Sequence, residues 1–336
     1  MGVKRLKWQK LVFTSRLKND IIYPGYQVER YARYNLKIGD KMEKSIIDDS
    51  KFRHRFGLKG VSSAITGQRV LGEAKWKGAK TGHVWTLSEW SSKHLFLDEM
   101  SEEVIDGGIN FCNEAKSVRI YPGKGKISLA LDSRKEYDGH RKEGETWVHL
   151  LLEQAIPMEK RVPLDKIDKL FMELAVCISK CDIHMMPEEF KPGLHTAQVS
   201  WFLTVENCKG KVFDIEGRPD YMWFGVPVFD YRYNKVEGPQ VFLDHGTKKV
   251  IYGMNRGDFL PEPVEIGKEY KFKIDVLPEI RRAFDIAKRQ GWLKGANWAD
   301  MAVGSMNLGW EIPGTFDCDL DINKIGITYI PVKDEQ

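Results

Sequence analysis

Long apolar runs are missing from this chain of 336 residues. Runs such as Val226–Phe229 and Leu150–Leu152 fall far short of the roughly 20 residues a helix needs to cross a bilayer, which excludes a spanning helix. Charge of one sign is missing too. Fifty-two Lys+Arg against 48 Asp+Glu leaves +4, so no electrostatic footprint for nucleic acid or an anionic membrane dominates. Cysteine is scarce and odd in number. Cys112, Cys177, Cys181, Cys208 and Cys318 cannot all pair within one chain, and a core of this size needs no covalent support, so free thiols are expected. The basic N-terminal stretch meets charge again at Arg16 and Lys18 before any apolar segment of signal length. A cytoplasmic protein is therefore expected, a mature secreted chain being the alternative.

Several reaction classes lose their support through absent motifs. The chain has no G-x-S-x-G elbow, no G-x-x-x-x-G-K-[ST] loop, no G-x-G-x-x-G after a strand and no H-E-x-x-H. Cys177 and Cys181 form a C-x₃-C, but four residues apart on a strand they share a face about 13 Å from each other, too far for a zinc pair. Asp317, Asp319, Asp321 and Asn323 alternate onto one strand face, where a hard cation is conceivable, yet Ile322 and Thr328 stand where a calcium loop needs Gly and Glu. An outward polar face is the simpler reading. No metal site and no cofactor are expected, with structural calcium from separate loops left open.

What is present is alternation at period two. A hydrophobic content of 42% and a charged content of 30% are those of a globular protein. Leu170, Met172, Leu174, Val176 and Ile178 fall on one side of a strand, and Val199, Trp201, Leu203 and Val205 repeat the pattern. Further strands are expected at 27–36, 68–71, 83–87, 117–121, 126–132, 146–154, 221–231, 248–252, 269–276, 302–309 and 319–330. One helix stands out, 278–290: Pro278 is pre-set for a first turn, Ile280, Ala283, Phe284 and Ala287 recur at helical spacing, and Gly291 can stop it. Its basic face (Arg281, Arg282, Lys288, Arg289) reads as a solvated flank. Gly39–Gly67, with the run Lys51-Phe52-Arg53-His54-Arg55, reads as a long polar loop. The expected fold is all-β: an antiparallel β-sandwich of jelly-roll type with one surface helix. Residues 1–67 contribute N-terminal strands and the loop to the same domain, and 68–336 form the sandwich.

The chemistry lies on the non-core faces. With Val148, Leu150 and Leu152 turned to the core, Trp147, His149 and Glu153 face the other way. Glu173, Gln198 and Ser200 take the corresponding faces of the next two strands. Tyr221–Arg232 is apolar on both sides, with Trp223 opposite Phe224, and ends in Asp230 and Arg232. Aromatic rings for the C–H faces of sugars beside polar side chains for their hydroxyls make a carbohydrate surface. A structural or interaction protein whose aromatic face meets a partner is the competing reading.

The segments WVHLLLEQ (147–154), DYMWFGVPVFDYR (220–232) and MNLGWEIPGTFD (306–317) resemble those of the concanavalin A-like lectin and glucanase class. That resemblance implies a jelly roll that binds or cleaves an oligo- or polysaccharide. The E-x-D-x-x-E signature of one glucanase branch and the Arg-Ser-Glu and Tyr-x-Lys-x-Gly motifs of alginate-type lyases are absent, so no family catalytic set carries over. If the protein cleaves glycosidic bonds, Glu153 and Glu173 on one sheet face are the expected carboxyl pair, with His149 beside Glu153. Trp147, Gln198, Trp223, Asp230 and Arg232 are the expected substrate-binding residues. Oligomeric state is not specified by the sequence.

Overall fold

The computed structural model describes residues 42–59, 69–209, 220–244 and 248–333, all within one compact unit, Lys41–Gln336. The strand expected at 27–36 lies outside the described residues. Along the chain run β1 (Lys44–Ser45), β2 (His54–Lys59), β3 (Val70–Ala74), β4 (Lys80–Ser88), β5 (Ser101–Ile105) and β6 (Gly108–Cys112). Next come β7 (Lys116–Tyr121), β8 (Lys126–Asp132), β9 (Val148–Ala155), β10 (Ile167–Ile183), β11 (Gln198–Asn207) and β12 (Tyr221–Asp230). The chain closes with β13 (Gln240–Leu243), β14 (Val250–Gly253), β15 (Glu269–Asp275), α1 (Leu277–Arg289), β16 (Met301–Ile312) and β17 (Phe316–Pro331).

These strands form two sheets. One has the order β15-β10-β17-β8-β7-β6-β5 with β1 on β17; the other, of nine strands, runs β13-β14-β12-β11-β16-β9-β4-β2-β3. Pairing is antiparallel except at β12–β14 and β2–β4. The inward residues of both sheets make one core, as a sandwich of jelly-roll type requires. Leu170, Met172, Leu174, Val176 and Ile178 from β10 meet it, as do Val199, Trp201, Leu203 and Val205 from β11. Trp310 of β16 donates its indole N–H across the core to the carbonyl of Leu129 in β8, at 3.0 Å, which satisfies a polar group that burial would otherwise penalise. The helix buries Ile280, Ala283, Phe284 and Ala287, the four residues at helical spacing.

Two expectations are corrected here. Residues 54–59 are not a loop: β2 pairs with both β3 and β4, and Phe56 and Leu58 are buried, as is Phe52 just before it. The charges around those three residues hide their shared face. The Asp49 carboxylate accepts from the backbone N–H groups of Arg53 and His54 at 2.8–2.9 Å, turning the chain into the strand. Cys177 and Cys181 do not share a face, because an extra residue, Ser179, enters β10 between the pairs Ile178↔Leu320 and Lys180↔Asp319. Cys181 is thereby turned inward. The aspartate ladder of β17 is paired rather than open: Asp317 with Lys180 at 2.6 Å, Asp319 with Arg119, and Asp321 with the Ser128 hydroxyl.

Candidate functional site

The outer face of the nine-stranded sheet carries a cleft of about 800 Å³. Its floor is set by register, since residues paired across neighbouring strands of a pleated sheet project to the same side. One transverse row is His149 of β9, Glu311 of β16, Gln198 of β11 and Asp230 of β12, each the register partner of the next. A second row, four residues further along β9, is Glu153, Asn307, Phe202 and Gly225. A third is Ala155, Ser305, Thr204 and Trp223. Trp147 and Tyr233 stand at the rim, 38% and 48% exposed, so flat aromatic surface is open to a ligand there.

Three members of the first row, Glu311, Gln198 and Asp230, are joined through Arg232. Gln198 Nε2 donates to Glu311 Oε2 at 2.7 Å, while Arg232 Nη2 donates to Gln198 Oε1 at 3.3 Å. Arg232 also grips Asp230 with two hydrogen bonds, Nε to Oδ1 at 2.9 Å and Nη2 to Oδ2 at 2.6 Å, and Thr196 donates to Oδ1 at 2.8 Å. Burial works against the guanidinium charge, yet the Asp230 carboxylate holds Arg232 above its usual range. His149 Nδ1 lies 2.8 Å from the carbonyl oxygen of Trp147. A carbonyl only accepts, so Nδ1 carries a hydrogen and donates it there. The Trp90 ring meets His149 edge-on at 5.5 Å and fixes its plane.

Two glycines make room for cleft side chains. Phe202 and Trp223 meet edge to face at 5.9 Å, and Trp223 meets Tyr221 at 5.7 Å. The Phe202 ring lies over Gly225, where a Cβ would come 2.5 Å from ring carbon Cε1. Gly304 has the same office for Glu206: it is the extra residue of a bulge in β16, and a Cβ there would fall 2.1 Å from the Glu206 carboxyl carbon. Glu206 lies over that gap, held by Arg161 Nη1 at 2.5 Å and Thr204 Oγ1 at 2.8 Å. Glu153, 7% exposed on the floor, pairs with Lys59. Beside it Asn307, 6% exposed, keeps its Oδ1 without a hydrogen-bond partner among the described residues.

Trp147, His149, Glu153, Gln198, Trp223, Asp230 and Arg232 thus all line one cleft. Glu173 does not. Its strand β10 belongs to the other sheet, where Glu173 faces outward and binds Lys324 at 2.5 Å. The chain crosses between sheets over residues 156–166, so successive strands need not be neighbours. The expected Glu153–Glu173 carboxyl pair is therefore separated by the whole sandwich. Nor does His149 meet Glu153; four residues on one strand put about 13 Å between them. The cleft also holds polar side chains that the sequence expectations did not name: Glu311 and Asn307 alternate with Met306, Leu308 and Trp310, the same period-two signal that located the others. Lys59 was hidden by the reading of its strand as loop.

No protein-family model matches the chain, and no curated protein matches it in sequence. Solved structures similar to it include the endoglucanase cel12A from Rhodothermus marinus, with a TM-score of 0.38 and 8% identity over 69% of this chain and 97% of that one. The native family 12 xyloglucanase from Bacillus licheniformis gives a TM-score of 0.39 at 8% identity, covering 69% and 97%. The family 11 xylanase from Neocallimastix patriciarum gives 0.36 at 8%, covering 68% and 95%.

Proposed function

We propose that the protein binds an extended carbohydrate chain across the outer face of the nine-stranded sheet. The observation that carries this reading is the juxtaposition, on one open face, of the Phe202–Trp223–Tyr221 tract with the row His149–Glu311–Gln198–Asp230. Sugar rings present C–H faces that stack on aromatic planes, and hydroxyls that both donate and accept. The row supplies both kinds of partner. Glu311 offers carboxylate acceptors, Arg232 and Gln198 offer donors, and the exposed edge of the His149 ring offers a further polar contact.

Binding is tested by intrinsic tryptophan fluorescence with neutral and acidic oligosaccharides, in parallel with a glycan array. Quenching that saturates, and that is lost in Trp223→Ala, supports the reading. No response to any oligosaccharide, together with a dimer that buries Trp223, favours the interaction protein instead.

A second reading, hydrolysis of the bound chain, rests on carboxyl spacing. The backbones of Glu153 and Glu311 stand about 13 Å apart along the sheet, and those of Glu153 and Glu206 about 16 Å. Glu311 and Asp230 flank β11, so their backbones are about 9.6 Å apart and their side chains share one row. Of these two, Glu311 has the neutral Gln198 as its one hydrogen-bond partner among the described residues, whereas Asp230 is neutralised by Arg232. Glu311 is the proton donor this reading assigns.

A further inference from the structure

Away from the cleft, two thiols face each other inside the core. Cys181 of β10 and Cys318 of β17 are register partners, 5% and 0% exposed, with their sulfurs 3.6 Å apart. Both are free thiols. Register partners in an antiparallel ladder have Cα atoms roughly 4.5–5.5 Å apart, within the roughly 4.4–6.8 Å that a disulfide spans. The backbone is therefore already set for a bridge, and only the two side chains need to turn for the sulfurs to close to about 2.05 Å. The placement is produced by the bulge at Ser179, without which Cys181 would point outward beside Cys177.

We infer that Cys181 and Cys318 are a reversible dithiol–disulfide couple that bridges β10 to β17 when the chain meets a small disulfide oxidant such as oxidised glutathione. Cys181, the more exposed of the two and two residues from the end of β10, reacts first. Its thiolate attacks one sulfur of glutathione disulfide, forming a mixed disulfide and releasing one glutathione thiolate. The Cys318 thiolate then attacks the Cys181 sulfur and releases the second glutathione. Two thiol protons pass to solvent or to the released thiolates, and two electrons reduce the one glutathione disulfide. Burial, with Cys181 as neighbour, pushes the Cys318 thiol well up from its ordinary range, so exchange in the folded protein waits on opening of the strand ends. The bridge would link residues 137 apart in sequence, a long closed loop that restricts the unfolded chain.

The full chain is incubated in a glutathione redox buffer, both folded and through a cycle of denaturation and refolding. It is then quenched by alkylation in denaturant and mapped by peptide mass. The expected count falls from five alkylated thiols to three, with the bridge on Cys181 and Cys318, a higher Tm for the bridged form, and full reversal by dithiothreitol. A variant with Cys112, Cys177 and Cys208 changed to Ser must still form the bridge, and Cys181→Ser must abolish it. Five free thiols after refolding in the oxidising buffer, or a bridge mapped to any other pair, overturns the inference.

Discussion

Gln198 Nε2 sits 2.7 Å from Glu311 Oε2, on the cleft floor that Glu311 shares with its register partner His149. The amide fixes the carboxyl plane. Glu311→Gln keeps size and hydrogen bonding while removing the ionisable carboxyl group. In the hydrolytic reading, turnover of a bound oligosaccharide falls by about 10²-fold or more, the scale of a lost general acid, with Kd changed by less than about threefold. Parallel kinetics and fluorescence titration check this. Turnover within tenfold of the parent protein would remove Glu311 from the chemistry.

Phe202 and Trp223 make the apolar half of the cleft, and both are only half buried, so truncating Trp223 costs little core. Trp223→Ala is expected to weaken oligosaccharide binding about tenfold, about 1.4 kcal/mol, at nearly unchanged Tm. Gly225→Ala reaches the same surface from below. Its Cβ at 2.5 Å forces the Phe202 ring upward into the cleft, so binding falls although no polar contact is lost. Isothermal titration of both variants decides between a stacking tract and incidental aromatics; an unchanged Kd in both excludes stacking.

Much of this surface was legible in the sequence, and the failures have physical causes. Alternation sorts the two faces of a single strand, so Trp147, His149 and Glu153 separated correctly from Val148, Leu150 and Leu152. Alternation carries no information about which sheet a strand joins. Glu173 failed for that reason: β9 and β10 are consecutive in the chain but lie in opposite sheets. A bulge adds one residue and reverses every face after it, which is how Ser179 turned Cys181 inward. Charges masked β2, where Phe52, Phe56 and Leu58 sit among Arg53, His54 and Arg55. The helix was plain because Ile280, Ala283, Phe284 and Ala287 repeat at a spacing that no strand produces.

Lys116 is completely enclosed with two carboxylates, Glu89 at 3.0 Å and Glu136 at 3.3 Å, and the Ser92 hydroxyl at 2.5 Å. This cluster ties the segment after β4 to β7. Lys116→Met leaves two buried carboxylates uncompensated and is expected to cost about 3–5 kcal/mol in urea unfolding. Burial raises the Glu89 carboxyl, although Lys116 opposes it. Its folded value thus exceeds the ordinary value of about 4.3, and between the two the folded state holds more protons than the unfolded. The stability this group contributes is complete below about pH 4.3 and is lost as pH rises through the folded value. Glu89→Gln therefore gains on the parent protein as pH climbs through that window, measured as the difference in urea midpoint; a difference that shrinks with rising pH contradicts the assignment.

Tyr137 joins the entry of β9 to the exit of β16, donating from its phenol near the carbonyls of Ile312 at 2.9 Å and Thr146 at 3.1 Å, while accepting from the Val148 N–H at 3.2 Å. These contacts bracket Trp147, the rim aromatic whose carbonyl accepts from His149 Nδ1. Tyr137→Phe keeps the ring and removes the oxygen, leaving the Val148 N–H without its acceptor, for an expected loss of about 1–3 kcal/mol. Burial pushes the phenol up to about 12. An unfolded tyrosine ionises near 10, so the stability from Tyr137 is intact below that pH and disappears as pH rises from about 10 to about 12. Absorbance at the phenolate band, titrated in folded protein and compared with Tyr137→Phe, isolates this group. A parent-minus-variant difference that titrates near 10 would mean that Tyr137 is solvated, and that the anchoring of Trp147 and His149 lies elsewhere.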